Sequence, residues 1–511
     1  MTANPPFFIT TPIYYVNDLP HLGHAYTTVA CDVVARFMRL DGRRVWFLTG
    51  TDEHGQKVEQ SARAAGISPQ ELTDRNSAGF RDMTRLLGIS NDDFIRTTEP
   101  RHTRGVQVLW RELERRGELY LGQFSGWYSV RDEAFYDESE LVDGKAPTGA
   151  EVEWLEEENY FFRLSAWQDR LLDYYEANPD AIAPRSRRNE VISFVRGGLK
   201  DLSISRTSFS WGIPVPGNPK HVIYVWLDAL ANYITAVGYP DTESQEFSIF
   251  WPAYLHIVGK DILRFHTVYW PAFLMAAGLD PPHRVFAHGW WTVEGQKMSK
   301  SLNNFIPPKQ LVDTYGLDPV RYFLLRELPF GSDGDFSHRA VVGRLNGDLA
   351  NDLGNLAQRV LVMINRNCDA CVPEPGALAT ADIALLDAAH RLLETVRGHI
   401  SEQAFHLALE AIWRIVGEAN RYVDEQAPWA LRRSDAARMC TVLYTLAETL
   451  RRLAILVQPF VPGSAGLLLD QLAVPETARH FTALVEAPLI PGTCLPKPEG
   501  IFPRFADEAP Q

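Results

Sequence analysis

At 511 residues, 46% of them hydrophobic and 11% aromatic, the chain is of ordinary globular make-up and too long for one core, so three or four packed units are expected. Its longest apolar candidate, Tyr224–Val237, is broken by Asp228 and Asn232, which excludes a membrane-spanning helix. The net charge of −14 argues against a nucleic-acid partner without settling it, because Arg185, Arg187, Arg188, Arg196, Lys200 and Arg206 cluster against only Glu190 and Asp201.

Met1–Pro6 has no basic leader and runs straight into a strand, so no signal peptide is expected. Phe7–Tyr15 reads as a short apolar strand, and the turn residues of Pro20–His24 open a helix. In that helix Ala30, Val33, Val34, Phe37 and Leu40 recur at helical spacing. Asp41-Gly42 stops it, and Val45–Leu48 resumes a buried strand. Parallel strands joined by a helix imply a right-handed crossover and a Rossmann-type, doubly wound α/β sheet. From about Leu119 to Leu202 the texture changes to short aromatic strands, tight turns at Asp143-Gly144 and Thr148-Gly149, and an acidic run from Glu151 to Glu158. This reads as an insertion between two halves of the sheet. Strand signals return at Val222–Trp226 and Leu255–Val258, followed by a helix around Phe265–Met275 and a strand at Val285–Phe286. After about Ala340 the pattern is all helix, with stripes at Leu345, Leu349, Leu353, Leu356, Val360 and Met363, at Phe405–Val423 and at Thr441–Val457. A helical bundle is thus appended to the α/β part.

Two short motifs carry chemistry. His21-Leu22-Gly23-His24 puts two imidazoles at a helix mouth, where backbone N–H groups and the dipole favour anions. Its glycine lets an adenine ring approach the backbone, and Asn17 and Pro20 shape the turn. Taken alone, the four residues also describe a helix start with two incidental histidines. Lys297-Met298-Ser299-Lys300-Ser301, behind Gly295, offers two ammonium groups and two hydroxyls, which suits the charge that develops as pyrophosphate leaves. Taken alone, it is also a solvated loop. In this order on one sheet, the two describe a site that holds a nucleoside triphosphate between two strand ends.

With these motifs, Pro12–Asn17, Gly50-Thr51-Asp52-Glu53-His54-Gly55, Tyr224–Ala229, Gly259-Lys260-Asp261-Ile262 and Asn420–Trp429 make the chain resemble the class I aminoacyl-tRNA synthetases, and within them the methionyl family, from Phe7 to about Pro462. The resemblance implies that methionine attacks the α-phosphorus of ATP, brought with Mg²⁺, and that the adenylate then passes to the terminal adenosine of tRNA. It implies catalytic roles for His21, His24, Lys300, Lys297, Asp52 and Arg206. ATP would be held by Asn17, His21, Gly23, His24, Lys297, Ser299 and Lys300. Methionine would sit among Ile13, Tyr15, Asp52, Trp226, Ala229, Leu230, Tyr233, Ile262 and His266, a sensible lining because a thioether packs well on aromatic rings. Asn355 and Arg359, one turn apart, would read the anticodon with Trp429. Without the resemblance, Trp429 would be a helix-packing residue beside a solvated polar pair. The chain then divides into residues 1–117 and 219–290 as halves of the catalytic sheet, 118–218 as the insertion, 291–340 as the lysine loop and stem-contact region, and 341–511 as the anticodon-binding bundle.

Departures matter too. Many members carry Cys-x-x-Cys zinc ligands in the insertion, whereas Ser129, Asp132, Ala146 and Gly149 stand here, so no structural zinc is expected. Cys368/Cys371, the one such spacing, lacks two ligands and reads as incidental. Five cysteines are no disulfide framework and fit a reducing cytoplasm. No dimerising module follows the bundle, so a monomer is expected. Leucyl, isoleucyl and valyl relatives carry a larger editing insertion, and a cysteinyl enzyme would need zinc ligands in its pocket. A non-catalytic tRNA-binding relative remains the alternative. A small-molecule nucleotidyltransferase would not need Asn355, Arg359 and Trp429.

Overall fold

The computed structural model describes residues 4–16, 19–131, 134–136, 138–293, 295–297 and 305–505. Its centre is a parallel sheet of seven strands: Phe7–Thr10 (β1), Tyr14–Tyr15 (β2), Val45–Asp52 (β3), Asp93–Arg96 (β4), Ile182–Ala183 (β5), Leu255–Gly259 (β6) and Val285–His288 (β7). The order is β2-β3-β1-β6-β7-β5, with β4 also paired to β3. Strands β1 and β7 are buried throughout, as continuous apolar runs in a parallel sheet must be. Ile9 of β1 faces Phe47 of β3 on one side and Leu255 of β6 on the other. The two halves of the chain therefore meet along β1, and the strand order reverses there. In such sheets the crevice beyond the carboxyl ends at the reversal is where ligands bind.

The helix Leu22–Leu40 (α1) crosses from β1 to β3 with its apolar stripe inward. It stops because Gly42, at φ +77°, takes the left-handed turn, and Arg43 N–H closes back on Met38 O. Elsewhere the elements depart from the sequence reading. Phe7–Tyr15 forms two strands, because Pro12 offers no ladder N–H. Val222–Trp226 is not one strand: Asn218–Ile223 pairs in a small antiparallel sheet, and Val225–Leu230 is a helix (α2) capped by extended Tyr224. The helix around Phe265 begins as a π-helical turn, Phe265–Tyr269, before Trp270–Ala277. Ile182–Ala183, inside the expected insertion, is an edge strand of the central sheet. The rest of that region carries an antiparallel sheet of Leu119–Ser129, Ala134–Tyr136, Glu153–Phe162 and Leu202–Ser203.

Helix Leu317–Arg326 (α3) leads to the bundle of Asn355–Asn367 (α4), Thr380–Ser401 (α5), Phe405–Gln426 (α6) and Ala436–Val457 (α7). A π-helical run, Leu345–Gly354, precedes α4. One apolar core runs from one face of the sheet through α1 and α3 into the bundle, and a second fills the other face. Among the described residues no helix is long and apolar enough to cross a membrane, and no cluster of His, Cys, Asp or Glu is placed to share a metal ion.

Candidate functional site

The mouth of α1 opens at the crevice beyond β1. His21 caps the helix, and its Nδ1 accepts from Gly23 N–H at 3.0 Å. The His21 N–H in turn donates to His24 Nδ1 at 3.1 Å, so each imidazole satisfies a backbone donor of the other's turn. The rings lie 3.9 Å apart, centroid to centroid. Because both Nδ1 atoms accept, both Nε2 atoms carry the proton and are the donors left for a ligand. Burial, aided by His21, holds His24 well below the ordinary imidazole pKa, so it is neutral. Gly23 is required by this packing, since a Cβ there would sit 2.9 Å from His21 Cε1.

The lysine motif meets this mouth through its flanks. Lys297 closes a strand pair with Thr292, and only its backbone is described. On the far side, the Phe305 ring stands edge-on to His21 at 5.7 Å and Leu22 N–H donates to Ile306 O at 3.1 Å. The segment between is thus fastened beside His21 at its exit. Ser299 and Lys300, like Asn17, lie outside the described residues.

Next to the mouth, Ile13, Trp226, Leu230, Tyr233 and Ile262 share one apolar cluster. Trp226 stacks flat on Phe265 at 3.6 Å. His266 donates from Nδ1 to Ile262 O at 2.9 Å, which leaves Nε2 to accept the Tyr233 hydroxyl at 2.7 Å. Burial lowers His266 to about 4 although Ile262 and Asp261 oppose it, so this pair is a neutral, fixed floor. His256 stacks behind Tyr233 at 4.1 Å and bonds Thr10 at 2.8 Å, tying the floor to β1. Ala229 is buried on α2. Tyr15 instead packs with the opposite core, opposite Asp52 in the β2–β3 register. Asp52 ends β3, nearly buried, and its carbonyl accepts Val16 N–H at 3.2 Å.

Sequence reasoning missed what holds this wall. Asp228 of α2, read only as a charge that breaks an apolar run, is fully buried between His54 Nδ1 at 2.6 Å and His102 Nε2 at 2.7 Å. Burial works to raise its carboxyl, but the two histidines outweigh it and hold the pKa below the usual range. The link joins α2 to the segment after Asp52. Arg206 is 1% exposed; its Nη1 donates to Ser203 Oγ and Ser205 O, and its guanidinium lies 4.4 Å from the ring of Tyr224, the cap of α2. These contacts place it behind the pocket wall.

On the bundle, the structure brings Arg359 and Trp429 together. The Arg359 guanidinium lies 5.6 Å from the indole, which is 52% exposed, and donates to Asp424 at 2.6 Å. Arg359 and Trp429 line a pocket of about 360 Å³ with Gln358, Val362 and Met363. Asn355 is exposed one turn earlier on α4. An open indole with a cation at its edge can stack an unpaired base.

Residues 7–153 and 139–361 match the family described as tRNA synthetases class I (M), and residues 372–511 match the anticodon binding domain of methionyl tRNA ligase. A methionine–tRNA ligase of Mesorhizobium japonicum is 58% identical over 508 residues, 98% of each chain. One of Brucella suis is 59% identical over 506 residues, again 98% of each. The solved structure of Mycobacterium tuberculosis methionyl-tRNA synthetase in complex with methionyl-adenylate superposes with a TM-score of 0.96 at 56% identity, over 98% of this chain and 100% of that one.

Proposed function

The chain belongs to the class I tRNA synthetases that charge methionine, and we propose that the strand-end crevice does its chemistry while the outer face of α4 reads the tRNA. It activates L-methionine with ATP to methionyl-adenylate and pyrophosphate, then transfers the methionyl group to the 3′-terminal adenosine of tRNA(Met) for initiation and elongation. The observation that carries the division of labour is the junction of the His21 cap with Phe305 and Ile306, which brings both nucleotide motifs to one mouth.

In the first step a methionine carboxylate oxygen attacks the α-phosphorus and pyrophosphate departs. Little proton transfer is needed; alignment and stabilisation of negative charge are. His21 and His24 supply Nε2–H donors to the α-phosphate, already oriented by the capping bonds and so needing no rearrangement. Lys300 and Lys297 take up the departing pyrophosphate, and Asn17, Gly23 and Ser299 complete the nucleotide contacts. ATP enters as its magnesium complex. Asp52 receives the substrate ammonium, and Arg206 acts from behind Tyr224 on the carboxylate and phosphate side. The thioether lies against Ile13, Tyr15, Trp226, Ala229, Leu230 and Ile262, over the floor of Tyr233 and His266. Asn355, Arg359 and Trp429 hold the anticodon. In the second step the adenosine hydroxyl attacks the adenylate carbonyl and AMP leaves. An enzyme that serves translation works in the cytoplasm, and we propose that it does so as a monomer.

The test is amino-acid-dependent ATP–pyrophosphate exchange with each of the twenty amino acids. Signal with methionine alone is the expected result. No exchange with any of them would favour a non-catalytic tRNA-binding relative.

A further inference from the structure

Four of the five cysteines meet in pairs where the strand leaving α4 passes the segment that follows the bundle. Cys371 Sγ lies 3.2 Å from Cys494 Sγ, and Cys368 bonds Cys440. Backbone geometry singles out the first pair. Cys371 and Cys494 oppose each other in an antiparallel bridge, flanked by Val372 N–H to Thr493 O at 2.9 Å and Leu495 N–H to Ala370 O at 2.7 Å. They are therefore the pair without hydrogen bonds of their own, where Cα atoms approach to about 4.5 Å. A disulfide spans roughly 4.4 to 6.8 Å between Cα atoms, so the bridge needs only a side-chain rotation. Access separates the pairs as well. Cys494 is exposed and Cys371 half-buried, whereas Cys368 and Cys440 are both half-buried and Cys31 is fully buried.

We propose that Cys371 and Cys494 form a reversible dithiol–disulfide site whose oxidant is a hydroperoxide. One thiolate attacks the peroxide oxygen, becoming a sulfenic acid and releasing water, or the corresponding alcohol from an organic peroxide. The second thiol attacks that sulfur, the S–S bond forms, and the sulfenic oxygen leaves as water. Two thiols and one hydrogen peroxide thus become one disulfide and two waters. A small dithiol reverses the reaction by exchange and ends as a disulfide itself. In a reducing compartment such a bond is transient, which suits a site that responds to oxidant rather than one that holds the fold. While it lasts, it closes a loop around α5, α6 and α7, restricts their unfolded chain and raises the melting temperature.

The full-length protein, reduced and then freed of reductant, is treated with hydrogen peroxide, alkylated and digested without reduction for mass spectrometry. The expected result is a peptide pair joined through Cys371 and Cys494, a fall from five alkylatable thiols to three, a higher melting temperature, and full reversal by dithiothreitol. Methionine-dependent pyrophosphate exchange checks that the oxidised protein is folded. Cys371→Ser and Cys494→Ser should each abolish the joined peptide and the thermal shift. Linkage through Cys368 and Cys440 instead, bonds between molecules, or unlinked sulfinic acid at Cys371 and Cys494 in the folded wild type would each overturn the proposal.

Discussion

Arg321 donates to Asp32 across 2.6 Å with both side chains fully buried, and the same guanidinium bonds the carbonyls of Leu87, Pro459 and Phe460. One arginine on α3 therefore fastens the helix that carries the paired histidines to the turn that ends α7. Asp32 also accepts from Arg36 and from Ser90. Burial alone would raise its carboxyl, but the two guanidinium groups and Ser90 hold its pKa below the usual range.

Replacing this arginine should be among the most damaging changes outside the crevice. Arg321→Met removes the buried partner of Asp32 and strands three carbonyls, and breaking such a pair costs about 3–5 kcal/mol. Urea unfolding should show that loss, partly recovered in Arg321→Met/Asp32→Asn. A change below about 1 kcal/mol would mean that the pair does not join the two units energetically.

Stability should fall between neutral and mildly acid pH because of buried imidazoles. His24, His256, His266 and His288 are all lowered, first by burial, with His266 brought to about 4. The unfolded chain binds protons near pH 6.5 while these folded imidazoles do not. Their contribution is thus fully present above that value and is lost as pH falls through 6.5 toward 4, on the order of 1 kcal/mol per unit for each. Depressed carboxylates such as Asp32 and Asp228 matter only below about pH 4, so the windows separate. Melting at pH 7.5 and 5.5 checks this, and equal midpoints would contradict it.

Asp228→Asn should act on methionine more than on ATP. The substitution leaves His54 and His102 without their shared charge and loosens α2, which carries Trp226 and Leu230. In pyrophosphate exchange the KM for methionine should rise about tenfold, a typical effect of losing one positioning interaction, with the KM for ATP nearly unchanged. Equal changes in both would reduce Asp228 to a purely structural residue.

Lys300→Ala should slow adenylate formation about a hundredfold while leaving the equilibrium affinity for methionine close to that of the wild type. Single-turnover kinetics beside a binding titration separates the two. If affinity dropped as far as rate, the lysine would not be acting on the departing pyrophosphate.

Trp429→Ala should reduce kcat/KM for tRNA charging about 10- to 100-fold, since base–aromatic stacking is worth about 1–3 kcal/mol. Pyrophosphate exchange should stay near normal. An equal fall in exchange would refute a role confined to the anticodon.

What could be read from the sequence was local. His21-Leu22-Gly23-His24 announces its helix mouth because a capping box acts within four residues. The stripe of α1 shows because one of its sides faces the sheet. Val225–Leu230 read as strand because it is buried almost all round, which erases the helical period, and its aromatic and β-branched residues mimic a strand. Ile182–Ala183 is too short to give any signal. Asp228 could not be placed, because its partners lie 174 and 126 residues away. The net charge misled as well, since recognition at Arg359 and Trp429 rests on one cation and one ring rather than on an overall balance.

The π-helical run before α4 is a matter of winding as much as of packing. Asn355 N–H reaches back to Ala350 O, five residues earlier, and the leucines feeding this stretch are spaced four and four, at 345, 349 and 353. Removing one residue there and restoring ordinary α turns would swing Asn355 and Arg359 by about 100° around the axis with no change in any side chain. The aim of this helix toward an RNA loop is therefore set by a count of residues, and a single-residue deletion in that stretch could blind it while the fold survived.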